Sequence, residues 1–303
     1  MLWKSQLSSV AEATPTLGRT RRLVRLRRLM QNPGALTGAL IVTFYVVVAL
    51  CGPLLWPIDP YGQNLSQRLL PPAWSSRGIW SHPFGTDGLG RDVLGRLLFG
   101  TRISLVIGFG AAGVGALIGV TLGTLAGYLG GNVDRLVTFL LTCRLALPSL
   151  LLAMTLIYFI HPSVVSVVVV IGLLHWTYFL VVCRASTRQI RELDYIRAAK
   201  VSGATTFETI RWDVLPNLMG TIGVVFTYEV GGAILAESAL SFLGVGIPSP
   251  LPSWGLMIAD GKNLMLFSPW LVILPGAALF GLVIGVNMLG NGLRKVFQPQ
   301  MGE

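Results

Sequence analysis

Six apolar runs of about twenty residues each restrict this chain more than any other feature, because that is the length at which an α-helix crosses a hydrocarbon layer of about 30 Å. They cover residues 34–56, 103–128, 136–160, 164–183, 218–240 and 269–289. In lipid every backbone N–H and C=O must be paired within its own segment, so repeated runs of this kind demand a helical, multi-pass membrane protein. The 303 residues are 53% hydrophobic and only 12% charged, about half the charge of a soluble domain. The third run is the least regular, since Arg144 and Pro148 interrupt it. The first run is too long for a signal-peptide core, follows a long basic segment and precedes no clear small-residue cleavage site, so it is expected to stay as a helix.

The expected layout is a basic N-terminal tail over residues 1–33, a six-helix membrane domain over 34–293 and a short tail over 294–303. Arg19, Arg21, Arg22, Arg25, Arg27 and Arg28 precede the first run, and Arg184, Arg188, Arg191, Arg197, Lys200 and Arg211 follow the fourth. The positive-inside rule puts both groups in the cytoplasm, together with both termini. The 57–102 segment then lies outside, despite Arg68, Arg77, Arg91, Arg96 and Arg102, partly offset by Asp59, Asp87 and Asp92. With Trp74, Trp80 and several prolines it is expected to be ordered, near a docking face, and to end in an amphipathic surface helix from about Arg91 to Phe99.

The net charge of +10 follows from membrane topology, and no soluble domain remains to bind nucleic acid. Anionic lipid is the expected partner of the arginine-rich tail. Cys51, Cys143 and Cys183 are scattered without metal-ligand spacing, and His82, His161 and His175 read as outer-loop or packing residues. No phosphate-binding loop, nucleophile elbow or zinc-protease helix occurs, so no catalytic residue is assigned and no cofactor is expected on this chain.

The polar stretch 184–216 is more specific. Asp194 can cap a short helix with Ala198 and Ala199 on a small face, and Gly203 supplies the positive φ that ends it. Thr205 and Glu208 then fit a capping box, opening a second helix with Phe207, Ile210 and Val214 on one face. Leu215-Pro216 opens the fifth span, where the missing proline N–H is tolerated. The result is a helical knob joined directly to a membrane helix.

Arg197-Ala198-Ala199 with Gly203 and Leu215-Pro216 resembles the alanine-pair coupling loop of ATP-binding-cassette (ABC) importer permeases. The chain is more closely similar to the second permease of the dipeptide and oligopeptide (peptide, opine and nickel) importers. That similarity rests on Phe84-Gly85-Thr86-Asp87-Gly88-Leu89-Gly90-Arg91-Asp92, Ala126-Gly127-Tyr128, Leu147-Pro148-Ser149, Ser241-Phe242-Leu243-Gly244 and Pro252-Ser253-Trp254-Gly255. The resemblance implies an all-α integral membrane protein with the type I importer fold, in a bacterial inner membrane. It implies a sister permease, two cytoplasmic ATPase subunits that hold ATP and magnesium, and an external substrate-binding protein. It also implies that Arg197, Ala198, Ala199, Gly203, Phe207, Leu215 and Pro216 contact the ATPase.

The departures are Arg197 where a glutamate is usual, Asp213 where the loop motif prefers isoleucine, and Asn291 and Lys295 where acidic residues are typical. Ionisable groups inside spans are costly, which makes Arg144, Glu229 and Glu237 candidates for the substrate path. Glu229 lies about eleven residues into its span, roughly 16 Å along the axis. With Arg144 it is expected to meet a polar or zwitterionic cargo such as a short peptide, whereas Glu237 matches a glutamate common in the family. Nickel chelates, opines, glutathione and sugars are alternative cargoes within the class. An ion-coupled secondary transporter would be expected to show inverted repeats or broken helices with ion ligands, and a membrane enzyme a convergent catalytic set.

Overall fold

Asn32 starts the first helix: its Oδ1 accepts from the N–H groups of Gly34 (3.1 Å) and Ala35 (3.3 Å), and Pro33 sits in the first turn. The structure is a computed structural model describing residues 32–297. The N-terminal basic tail, with its expected lipid contacts, and residues 298–303 lie outside these. In order, the helices are α1 (Pro33–Leu55), α2 (Val93–Leu129), α3 (Gly131–Leu145), α4 (Ser149–Ile160), α5 (Val164–Arg191), α6 (Asp194–Val201), α7 (Thr206–Glu208), α8 (Leu215–Phe242), α9 (Trp254–Gly261) and α10 (Trp270–Phe297). No strand occurs among the described residues, only an isolated bridge between Thr86 and Asp92. The last helix runs past the expected domain boundary at residue 293.

Among the described residues five helices are long and apolar enough to cross a membrane, and a sixth crossing exists only if α3 and α4 are taken as one broken span. The two meet at 87°. Their lengths of about 22 and 18 Å each fall short of the hydrocarbon thickness. Pro148, at the α4 N-cap, offers no N–H and disfavours helical backbone at Leu147, so the helix cannot continue. Arg144 braces the elbow, donating from Nη2 to Ser149 Oγ (3.1 Å) and to the Leu174 carbonyl of α5 (2.9 Å).

The expected surface helix over residues 91–99 does not form. Asp92 caps α2, its Oδ1 accepting from Gly95 N–H (2.6 Å), and Val93 onward belongs to a single 37-residue helix about 55 Å long. Arg91 and Arg96 are buried rather than lying on a membrane surface. Their charges are met by Asp87 and Asp260, an alternative to solvation that local amphipathicity does not reveal.

Helices α2 and α5 form the most extensive contact. Lipid supplies no hydrophobic drive between helices, so close backbone approach must do it, and that requires small residues. Gly115, Gly119, Gly123 and Gly127 provide a stripe at four-residue spacing on α2. A Cβ on Gly119 would lie 2.3 Å from the Trp176 carbonyl oxygen, and one on Gly123 would lie 2.6 Å from that of Leu180. A buried cluster of Ile107, Ala111, Ile157, Val170, Ala233 and Leu240 ties α2, α4, α5 and α8 together. Helix α1 packs along α10, and α8 touches α2, α5 and α10.

Candidate functional site

Helix α6 is only eight residues long, too short to persist in water by itself. Its N-cap is Leu193, not Asp194; Asp194 stands one position inside, where its charge complements the helix dipole without a capping hydrogen bond. The far end fits the expectation. Gly203 has φ +88°, its N–H donates to the Lys200 carbonyl, and Ala204 N–H donates to that of Ala199. This paired arrangement is the glycine-terminated motif that satisfies a helix's last carbonyls.

One side chain anchors α6. Ile196 is the helix's buried residue and packs with Tyr128 at the end of α2, with Val214 and Leu218, and with partly buried Ile190 of α5. Lys200 Nζ adds a cation–π contact 4.7 Å from the Tyr128 ring centre. The knob is therefore seated on three long helices at once. Ala198 is exposed, while Ala199, one turn beyond Ile196, is half-buried.

The second arm differs from expectation. The Thr205–Glu208 capping box is present, but the helix it opens does not stop before Leu215. It widens into a π-helical turn over Thr209–Val214 and continues as α8. Pro216 has no N–H for the carbonyl four residues back, and a π-turn is one way to absorb that loss inside a continuous helix. Asn217 Nδ2 donates to the Asp213 carbonyl (2.6 Å) and to Tyr195 Oη (3.0 Å), so α8 and α6 are also stitched by side chains. The altered pitch separates the residues expected on one face: Val214 is buried, Ile210 is half-buried, and Phe207 is 73% exposed.

Phe207, Trp212, Val201 and Tyr195, on the two arms that carry and follow the alanine pair, are exposed. A groove lined by Ala199, Ser202, Gly203, Ala204, Glu208 and Trp212 runs between the two arms. Arg197 Nη2 pairs with Glu192 Oε2 (2.9 Å), and Arg191 Nη2 with Oε1 (3.1 Å). Arg197 first, and then Arg191, hold the Glu192 carboxyl below its usual range. The pairing is therefore complete at neutral pH and is lost only as pH falls through that lowered value.

The candidate path residues do not gather into one pair. Glu229 Oε2 lies 2.5 Å from His175 Nδ1, so the histidine expected to be a packing residue is its partner. Arg144 braces the α3–α4 elbow instead. Both nonetheless converge on one turn of α5, Arg144 at the Leu174 carbonyl and Glu229 at His175. Glu237 is fully buried and accepts from Ser241 Oγ (2.7 Å), while that oxygen accepts from Ile247 N–H (3.2 Å). It fixes the turn after α8 rather than facing a cavity.

Residues 119–303 match the model of the binding-protein-dependent transport system inner membrane component, and residues 22–72 match the N-terminal membrane domain of oligopeptide transport permease C. The chain belongs to this permease family. It is 39% identical over 276 residues to the dipeptide transport system permease protein of Bacillus subtilis, spanning 91% of this chain and 84% of that protein. The corresponding Haemophilus influenzae protein is 34% identical over 271 residues, with 89% and 92% coverage. The probable D,D-dipeptide transport system permease protein of Escherichia coli is 32% identical over 302 residues, with 100% and 99% coverage.

This ABC importer permease is thus a multi-pass inner-membrane protein with the type I fold. Within that fold, the sequence motifs marked where α6 is, but they did not reveal its seat. Ile196, Val214 and Leu218 look like ordinary apolar residues, and Tyr128 lies 68 positions before Ile196. Trp212 is also exposed here, and an aromatic in a polar loop was the available sequence signal.

Proposed function

We propose that this chain is one of two permease subunits of an ATP-driven peptide importer and that α6 is the lever through which two cytoplasmic ATPases move it. The α6 end is cytoplasmic, the 57–92 segment and α9 face outward, and ATP with magnesium is held by the ATPase subunits. The observation that carries this reading is the seat of α6: an alanine-faced helix fixed through Ile196 to the ends of α2, α5 and α8. Similarity to dipeptide permeases over nearly the full length supports peptide as the cargo.

Closure of the ATPases around ATP would draw this α6 and its counterpart on the sister permease together. That displacement passes into α8 through the Ile196–Leu218 seat and, beyond the turn at residues 202–205, along the continuous α7, π-turn and α8. The cavity between permeases then opens outward to a substrate-loaded binding protein, and hydrolysis resets it. Nucleotide must favour one state over the other; moving the population from 1:99 to 99:1 takes about 5.5 kcal/mol of differential affinity.

Copurification tests the assembly: a sister permease and two ATPases are expected to travel with the chain, and ATPase activity is expected to rise with loaded binding protein. Arg197→Glu places a second carboxylate beside Glu192. It is expected to lower substrate-stimulated ATPase activity severalfold with the native partners, and unchanged transport would show the position to be tolerant.

Glu229 and His175 retain 14% and 22% side-chain exposure, consistent with a lining of the path between the two permeases. Their arrangement suits the ammonium end of a peptide. Glu229→Gln is expected to lower uptake of a cationic dipeptide more than that of a neutral one. Equal retention of both would remove Glu229 from selectivity.

A further inference from the structure

The bend between α3 and α4 lies deep in the membrane. Arg144, near the end of α3, donates to the Leu174 carbonyl (2.9 Å), and α5 begins at Val164. By the 1.5 Å rise, Leu174 is about 15 Å along an α5 of about 42 Å. Centring that helix on a hydrocarbon layer of about 30 Å puts Leu174 about 9 Å inside the nearer boundary. Residues 146–148, which join α3 to α4 at 87°, sit at that depth.

Lipid cannot cover backbone of this kind. The N–H groups of Ser149, Leu150 and Leu151 open α4 with no carbonyl one turn back in the helix, and Pro148 at the N-cap gives no side-chain cap. Among the described residues, neither these N–H groups nor the Leu145, Ala146 and Leu147 carbonyls have a hydrogen-bond partner. Arg144 adds a full charge. It donates to Ser149 Oγ (3.1 Å) and the Leu174 carbonyl, and no carboxylate pairs with it among the described residues. Non-helical backbone and an unpaired charge persist at membrane depth only against protein or water.

The side chains around the bend decide between those two. Leu145, Leu147, Leu150 and Leu151 are 43–62% exposed, and leucine gains by leaving water. The same surface continues along α4: Ala153 and Ile157 pack into the core shared with α5, while Leu151, Thr155 and Tyr158 form an exposed face at helical spacing. Water would satisfy the backbone and strand the leucines, and lipid would do the reverse. A facing protein does both, burying the leucines and offering polar side chains across the contact.

An occupant at this depth must itself cross the membrane, which the ATPases and the binding protein do not. A second copy of this chain on the same face would bring its own Arg144 where a carboxylate is needed. We propose that the bend and the exposed face of α4 are the seam on which the sister permease packs, with a carboxylate of the sister presented to Arg144. The partner's identity rests on the two-permease reading above.

The test places photoreactive benzoylphenylalanine at Leu147 or Leu151 in the complete permease–ATPase complex in nanodiscs, checked for assembly by size exclusion. Irradiation is expected to join this chain to the sister permease from both positions, with the product identified by mass spectrometry. Arg144→Gln removes the charge and keeps a donor; it is expected to lower the cross-linked yield at least fivefold, whereas Arg144→Lys should retain it. Equal yields in the two variants overturn the proposal, as do products joined only to lipid or to a second copy of this chain. A sister permease that copurifies but joins neither position overturns this inference alone. Absence of any sister permease from the purified wild-type complex overturns both this inference and the two-permease reading.

Discussion

Gly119→Leu is expected to abolish accumulation of the folded chain in the membrane. The nearest neighbours of a Cβ at Gly119 are the Trp176 carbonyl oxygen at 2.3 Å, Phe179 Cβ at 2.6 Å and Leu180 N at 3.0 Å. Two of these are backbone atoms of α5, so no rotamer change can make room and the helices must separate. Overpacking a core typically costs about 1–3 kcal/mol, and here the wedge also parts the α2–α5 contact on either side of it, so a loss above about 3 kcal/mol is expected. Gly113 gives the control, since a Cβ there meets nothing within 4 Å in this chain. Gly113→Ala should be neutral or slightly stabilising, by up to about 1 kcal/mol from helix propensity, whereas Gly119→Ala should already lower the midpoint of thermal unfolding in detergent. Equal midpoints for the two alanine variants would contradict this account of the α2–α5 contact.

Ile196→Asp is expected to leave a membrane-inserted complex that no longer couples ATP to transport. Ile196 is fully buried and is the side chain that seats α6 against Tyr128, Val214 and Leu218. An unpaired carboxylate there costs several kcal/mol, and an eight-residue helix has little else to hold it. Ile196→Ala should act in the same direction through a cavity costing about 2–5 kcal/mol. The measurement is ATPase activity with and without loaded binding protein. Stimulation is expected to fall at least tenfold while basal hydrolysis by the ATPases persists. Retained stimulation in Ile196→Asp would show that α6 does not work through this seat.

Local chemistry made much of this legible in the sequence. Apolar runs longer than a bilayer, the Thr205–Glu208 box, the positive φ at Gly203 and the break at Pro148 each depend on residues close together in the chain. Features that depend on distant pairing were not legible. Glu229 and His175 are 54 positions apart, and Arg96 and Asp260 are 164 apart. A basic stretch at 91–99 therefore looked like a surface helix, because nothing nearby announced the aspartate waiting on α9. The π-turn was hidden for another reason: Leu215-Pro216 is equally compatible with a helix start and with a continuous helix that widens ahead of the proline. At α6, the motif located the helix, while the side chains that fix it to the membrane helices came only from the fold.

If ATPases move peptide through this permease by pushing on α6, transport must fail when α6 is unseated. The deciding measurement is uptake of a radiolabelled dipeptide by proteoliposomes holding this chain, its sister permease and both ATPases, with binding protein on the opposite side from the nucleotide. The expected result is uptake that requires ATP and binding protein together and disappears in Ile196→Asp. Uptake by this chain alone, driven by an ion gradient and indifferent to ATP, would contradict it.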